Sequence, residues 1–300
     1  MGNLVHDHSR WGPTDQTGAA NLITPESRLK ALGLVKEGRL YDLGQLIETG
    51  APRMPPRQTP YLIFSSSTSR DTGRYIREMG ATNGPGPNLE RVEMTMHVGT
   101  HIDALGHFAR EGNMYNGLHM DEVVTDTGLA KLGIEHIPPI ITRGVCLDFS
   151  GLDGGEHLEP GRAIGRPEVE GALEQAGLQL EAGDVVCIHT GWGRYFMVDN
   201  DRYVNGEPGI DEEAARWLTG QDVIAIGSDN MAVEVMPNPD HPNTMFPVHL
   251  HTLVEAGVHL VENMKLEELV RDGVTSFCMI LLPVRFKGAT GCPVRPVAMI

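Results

Sequence analysis

The chain of 300 residues, 40% apolar and 21% charged, has the composition of a folded protein with room for one large domain or two of ordinary size. Its 40 acidic residues against 24 basic ones give a formal charge of −16, which repels phosphate backbones and anionic lipid, so neither nucleic acid nor a membrane is an expected partner. Four cysteines, Cys146, Cys187, Cys278 and Cys292, form no C-x-x-C pair, which argues against a thiolate zinc site or a disulfide framework and fits a reducing cytoplasm.

In chain order, the opening MGNLVHDHSRWGPTDQ lacks the basic start and apolar stretch of a secretory signal. The run 277–284 is too short to span a bilayer, so a soluble, cytoplasmic protein is expected. Thr24 and Pro25 cap and begin a helix through Leu34. A strand is expected over 40–47. Residues 51–88 form the least regular stretch, with Pro52, Pro55, Pro56, Pro60, Pro85 and Pro87, the tract Ser65-Ser66-Ser67 and NGPGPN. They read as an inserted loop, either a lid over a site or a surface connection. Further Val/Ile/Leu-rich runs bounded by Gly, Asp or Pro predict strands at 92–97, 144–149, 184–189, 223–226, 258–261 and 276–282. Helices are expected at 166–176, at 211–218 with Asp211 as cap, at 249–255 and at 265–271. Strands outnumber helices and do not alternate with them regularly, and no repeat or domain boundary stands out. The expected fold is a single mixed α/β domain with a strand-rich core and flanking helices.

The chemistry concentrates in MHVGTHIDALGHF, where His97, His101, Asp103 and His107 all fall on odd positions. An extended chain puts alternate residues on one face, so a strand running into an extended loop can present all four together. A helix cannot, because at about 100° per residue Asp103 would lie about 240° around from His97. Gly99 lets the backbone bend or approach closely, and Thr100 can orient a ligand. Imidazoles with a carboxylate suit a divalent ion such as zinc or manganese with positions left open for water. The competing reading is a polar strand whose histidines are satisfied by hydrogen bonds.

H-V-G-T-H-I-D-A-L-G-H-F resembles the H-x-G-T-H-x-D-x-x-x-H-F signature of the metal-dependent cyclase-like hydrolase family. Trp11, Gly12, Asp15, Gly18 and Asn21, then HTGW at 189–192, GSDN at 227–230 and the tail LLPVRFKGATGCPVRPVAMI, resemble further blocks of the longer members in the same order. Leu105 stands where Pro often follows the Asp-Ala pair, so the loop shape there is expected to differ. The resemblance implies the swivelling β/β/α fold and a homodimer or homotetramer. It also implies a metal held by His97, His101 and Asp103, with His107 as acid/base residue. In members with a second metal, Asp103 bridges and a later His and Glu complete the site. Glu262 matches that Glu, as ligand or catalytic residue, and either His249 or His251 is the histidine. The implied activity is hydrolysis of an amide, lactam, formamide or lactone/ester bond of a small molecule through metal-activated water. The alternatives are a non-catalytic metal or small-ligand binding protein, or a lyase or cyclase on the same fold. Asp229 and Asn230, more simply read as a turn, His189 and Trp192, equally readable as packing residues, and Trp11, readable as an anchor of the terminus, are weaker candidates.

Overall fold

The computed structural model describes residues 10–300, and the opening stretch 1–9, read above for targeting signals, lies outside them. Its centre is one nine-stranded sheet built from β1 (Leu40–Asp42), β2 (His101–Asp103), β3 (Ile140–Asp148), β4 (Val185–His189), β5 (Ala225–Ser228), β6 (His259–Glu262), β7 (Ser276–Leu281), β8 (Gly291–Pro293) and β9 (Val297–Met299). The order across the sheet is β1-β9-β7-β3-β4-β5-β6-β2-β8. Strands β3 to β6 run parallel, with Gly144 opposite Val185, Val185 opposite Ala225 and Ala225 opposite His259. The outer strands pair antiparallel. A parallel sheet covered on both faces needs apolar side chains pointing both ways, and Val185, Val186, Cys187 and Ile188 are accordingly all fully buried. The fold is the mixed α/β class expected from the pattern of elements.

The helices start where their capping residues stand. Thr24 accepts from the Ser27 amide, and Pro25 opens α1 (Pro25–Leu32). Helix α2 (Arg166–Ala176) carries Pro167 in its first turn and ends at Gly177, whose φ of 64° lies in the left-handed region. Asp211 accepts from the Ala214 amide at 2.7 Å and caps α3 (Glu212–Gly220). Among the described residues no helix is long and apolar enough to cross a membrane.

Four expectations are corrected. The stretch 51–88 is not simply loop. Leu62–Ser67 pairs antiparallel with Leu89–Glu93, and the helix Ser69–Glu78 lies between them. The serine tract and the flanking prolines hid that ribbon. The strand expected at 92–97 ends at Glu93, and His97 instead sits in a turn. The strand expected at 40–47 stops at Asp42, whose Oδ1 accepts from the Gly44 amide at 3.2 Å and breaks the ladder. The helix expected at 249–255 begins earlier, at Pro247, and widens into a π-helix over Leu250–Ala256 that ends at Gly257. Wide helical turns of this kind recur at functional sites.

Ile226 is fully buried in β5 between Val186 and Leu260. Ile226→Ala should therefore lower the unfolding free energy by about 2–5 kcal/mol, read as a lower urea midpoint at unchanged m-value. A loss below about 1 kcal/mol would place the core elsewhere.

Candidate metal centre

Strand β2 lies between β6 and β8, and this register assembles the centre. Glu262, the last residue of β6, is the cross-strand partner of His101, and Gly291 of β8 is the partner of Asp103. His101 and Asp103, two apart on β2, share a face and are fully buried. The extended-chain argument thus holds for this pair and fails for the other two. His97 reaches the centre through a turn in which Gly99 has φ +70°, and a Cβ on Gly99 would lie 2.6 Å from Ile47. His107 ends a 3₁₀ turn, Leu105–His107, in which Leu105 is buried in the core. Its ring stacks on His97 at 3.9 Å between centroids. A Cβ on Gly291 would come within 2.6 Å of the His97 ring, so glycine is what lets that imidazole in.

The ligand-type atoms converge. His97 Nδ1 lies 3.0 Å from Asp103 Oδ1, and His101 Nε2 lies 3.5 Å from the same oxygen and 3.1 Å from Glu262 Oε2. His249 Nε2 is 3.0 Å from Glu262 Oε1 and 3.7 Å from Asp103 Oδ2. Yet His97 Nδ1, His101 Nε2 and both Asp103 oxygens, all buried, make no aligned hydrogen bond. Orphaned polar atoms facing one another in the interior are costly, and a cation among them removes that cost. Two sets of mutually close donors result, His97/Asp103/His107 and His101/Asp103/Glu262, with Asp103 in both. The donors expected around a first metal are therefore divided, since His97 and His101 fall in different sets and His107 joins one. Imidazole and carboxylate donors fit a divalent ion of borderline softness.

Other groups fix which nitrogen faces the centre. His101 Nδ1 donates to the Gly99 carbonyl at 2.8 Å, leaving Nε2 inward. His249 Nδ1 donates to Glu234 Oε1 at 2.5 Å, and the same carboxylate accepts the Val248 and His249 amides at 3.1 Å each. His97 Nε2 bonds the Thr290 hydroxyl at 2.9 Å. Sequence reasoning missed Glu234 and Thr290. An acidic residue inside the apolar run MAVEVM was the available signal for the first, and the tail block GATG held the second.

Protonation follows from charge and burial together. For His101, burial works against the imidazolium, but the Glu262 and Asp103 carboxylates outweigh it and raise the pKa to about 9. For His249, burial is likewise outweighed by Glu234 and Glu262, which raise it to about 10. Burial would raise Asp103 and Glu262, but the surrounding imidazoles hold both carboxyls below their usual range. His107 goes the other way. Burial lowers it to about 3, so it is a neutral imidazole at pH 7 rather than the near-neutral titrating group its residue type suggests.

The remaining candidates sort by position. His251 bonds Thr219 and Glu255 at 2.8 and 2.9 Å, away from the centre, so His249 is the later histidine that the structure brings to it. Thr100 uses its hydroxyl on the Asn263 carbonyl and the Gln45 amide, tying backbone rather than orienting a ligand. Asp229 accepts from Thr190 and the Gly193 amide, and Asn230 bonds the Pro208 carbonyl and Val233 amide. His189 bonds Asp148, and buried Trp192 donates to the Tyr203 carbonyl. A pocket of about 340 Å³ opens onto His97, His107, His249 and Glu262 between walls that include Met54, Phe108, Met231 and Phe246. A larger cavity, about 670 Å³, beside Trp11 and Tyr115 contains none of the clustered donors.

The profile of a family described as Putative cyclase matches residues 41–235, a span that includes the whole His97–His107 segment. This chain belongs to the cyclase family. The kynurenine formamidase of Bacillus cytotoxicus is 26% identical to this cyclase chain over 242 residues, covering 81% of the chain and 88% of that relative. A solved structure described as a novel cyclase is 30% identical, with a TM-score of 0.85 over 98% of this chain and 99% of its own. Isatin hydrolase A from Labrenzia aggregata, solved with benzyl benzoate, shares the cyclase fold at 20% identity, with a TM-score of 0.66 over 90% of this chain and 95% of its own.

Because His101 and His249 hold protons up to about pH 9 and 10 in the ion-free pocket, an ion that takes both nitrogens must displace both protons. Affinity for zinc or manganese should therefore strengthen as pH rises from 6 to 8, by about tenfold per pH unit for each proton displaced. Calorimetry in buffers of different ionisation enthalpy should count proton release on binding. Affinity independent of pH, with no proton released, would remove these histidines from the ligand set.

Proposed function

We propose that this chain is a metal-dependent hydrolase that cleaves the C–N bond of a small-molecule amide, formamide or lactam, with lactones and esters as related substrates. The observation that carries the reading is the set of buried, unpartnered donors around Asp103, opening onto a pocket with a neutral histidine beside it. The relatives named kynurenine formamidase and isatin hydrolase support the same bond class. Asp103, common to both donor sets, would hold an ion with His97 or with His101 and Glu262, and His249 would complete a second position or orient water. Zinc and manganese both suit these donors. A divalent ion bound there supplies Lewis acidity toward the carbonyl and a water whose pKa falls from 15.7 toward ~7.

The chain's own residues do the rest. His107, kept neutral by burial, accepts a proton at an imidazole nitrogen. The Asp103 charge offsets only part of the burial cost of the imidazolium so formed, so His107 is a weak base and a strong acid that readily returns the proton to the departing nitrogen. Glu234 keeps His249 Nδ1 protonated and its Nε2 turned inward. Phe108, Phe246 and Met231 give that face an apolar lining.

A homo-oligomer, dimer or tetramer, is supported by the ribbon over 62–93, which leaves Ile63, Phe64, Tyr75 and Met79 exposed. A two-stranded ribbon is marginal alone in water, and a second copy would cover it. The four buried free cysteines support a cytoplasmic setting.

Stripping metal with a chelator should abolish hydrolysis across a panel of formamides, lactams and lactones, and restoring zinc or manganese should return it. His101→Ala should lower bound metal and turnover together by at least about a hundredfold, with the fold intact by circular dichroism. Products heavier than substrate by one water fit hydrolysis, whereas a fully active metal-free enzyme, or a product without added water, contradicts it.

A further inference from the structure

The pocket wall holds one charged group that neither the metal donors nor the proposed hydrolysis uses. Arg57 is the one guanidinium or ammonium lining it, and its side chain has no ion pair or hydrogen bond with any described residue. The polar neighbours are engaged. Thr95 Oγ accepts the Thr59 amide at 2.6 Å and pairs with the Thr59 hydroxyl at 3.0 Å. Gln58 Oε1 accepts the Met54 amide at 2.7 Å, and Thr290 is bonded to His97. Away from the metal centre, this leaves the Arg57 guanidinium and the Gln58 amide nitrogen, which are both donors. The apolar part of the lining includes the Phe108 and Phe246 rings, 5.4 Å apart between centroids with their planes inclined at 65°.

Guanidinium and amide donors in a pocket that is otherwise lined by aromatic and aliphatic side chains complement a small aromatic molecule that carries an anion. Such a molecule needs local help, because a chain of net charge −16 repels anions at long range. The segment 51–93 that carries Arg57 holds six arginines against four carboxylates, a modest basic excess within an acidic chain. A guanidinium can hold a carboxylate through two parallel hydrogen bonds, which fixes orientation as well as charge.

We propose that Arg57, with Gln58 beside it, sets substrate class by binding a carboxylate on the far side of the substrate from the bond that is cleaved. This rests on the hydrolase reading, from which it takes the location of the scissile bond. Arg57 binds and orients and takes no proton. The substrates it selects are small, planar amides that carry an anionic group, and the uncharged isostere of the same shape is the poorer ligand.

The test uses 4-formamidobenzoate and 4-formamidobenzamide, which match in size and differ in charge, with the para position keeping the anion a ring's length from the formamide. Turnover is measured in metal-loaded wild type, Arg57→Ala and Arg57→Lys, and binding of both probes is measured by calorimetry in the metal-free proteins. Wild type should prefer the benzoate by about tenfold, chiefly through KM. In Arg57→Ala the ratio of kcat/KM between the probes should fall to about one, and Arg57→Lys should keep part of it. A wild type that treats the two probes alike, or an Arg57→Ala that leaves the ratio standing, overturns the inference. If neither probe is hydrolysed, the hydrolase reading is weakened, and binding decides Arg57 separately. Tighter binding of the benzoate in wild type and not in Arg57→Ala upholds the assignment, and no preference in binding overturns it.

Discussion

Asp103 is a carboxylate with no exposure to water, placed in a short strand near one edge of the sheet, and an unpaired charge in such a place costs several kcal/mol. The structure answers that cost by surrounding the carboxylate with imidazoles rather than with hydrogen-bond donors of fixed geometry. His97, His101 and His249 each bring a ring nitrogen within 3.7 Å of it, and His107 stacks on His97 beside them. Because none of these contacts to Asp103 is an aligned hydrogen bond, the arrangement is incomplete as a set of ion pairs and has the donor chemistry that a divalent ion would satisfy. The backbone around it serves the same end, with Gly99 folding His97 back and Gly291 leaving room for its ring.

Two consequences follow for the chemistry. The carboxylates hold protons on His101 and His249 until a stronger Lewis acid replaces them, which couples ion binding to pH. His107 feels burial more than it feels the carboxylates and stays neutral. One cluster thus contains histidines of opposite character, protonated ones that an ion would take over and a neutral one at the pocket edge free to accept a proton. The same environment that makes Asp103 expensive to bury divides those roles.

Much of this was legible in the amino-acid order, because the key spacing is local. His101 and Asp103 are two apart, which puts them on one face of any strand, and Glu262 ends an apolar run that reads as a strand and proves to be their neighbour. The helices at Thr24, Arg166 and Asp211 announce themselves through caps that act within one turn. What was hidden depends on distance or environment. Glu234 reaches His249 across a closed loop that includes Phe246 in the left-handed conformation, and no local pattern records that closure. The ribbon over 62–93 is concealed by Ser65-Ser66-Ser67, whose residues carry little strand signal. The depressed pKa of His107 arises from packing on neighbours that no residue type or spacing reveals. Nothing in the local sequence around Arg57 signals that it lines the same pocket as Phe108 and Phe246.

The claim on which the rest stands is that Asp103 is a metal ligand rather than a member of a buried ion-pair network. Anomalous diffraction from crystals grown with manganese or zinc, collected on both sides of the absorption edge, addresses it directly. An anomalous peak is expected about 2.0–2.2 Å from an Asp103 oxygen, with ring nitrogens of His97 or His101 completing its coordination. A map with no metal peak at that carboxylate, in which the Asp103 oxygens are satisfied by protein hydrogen bonds alone, would contradict it.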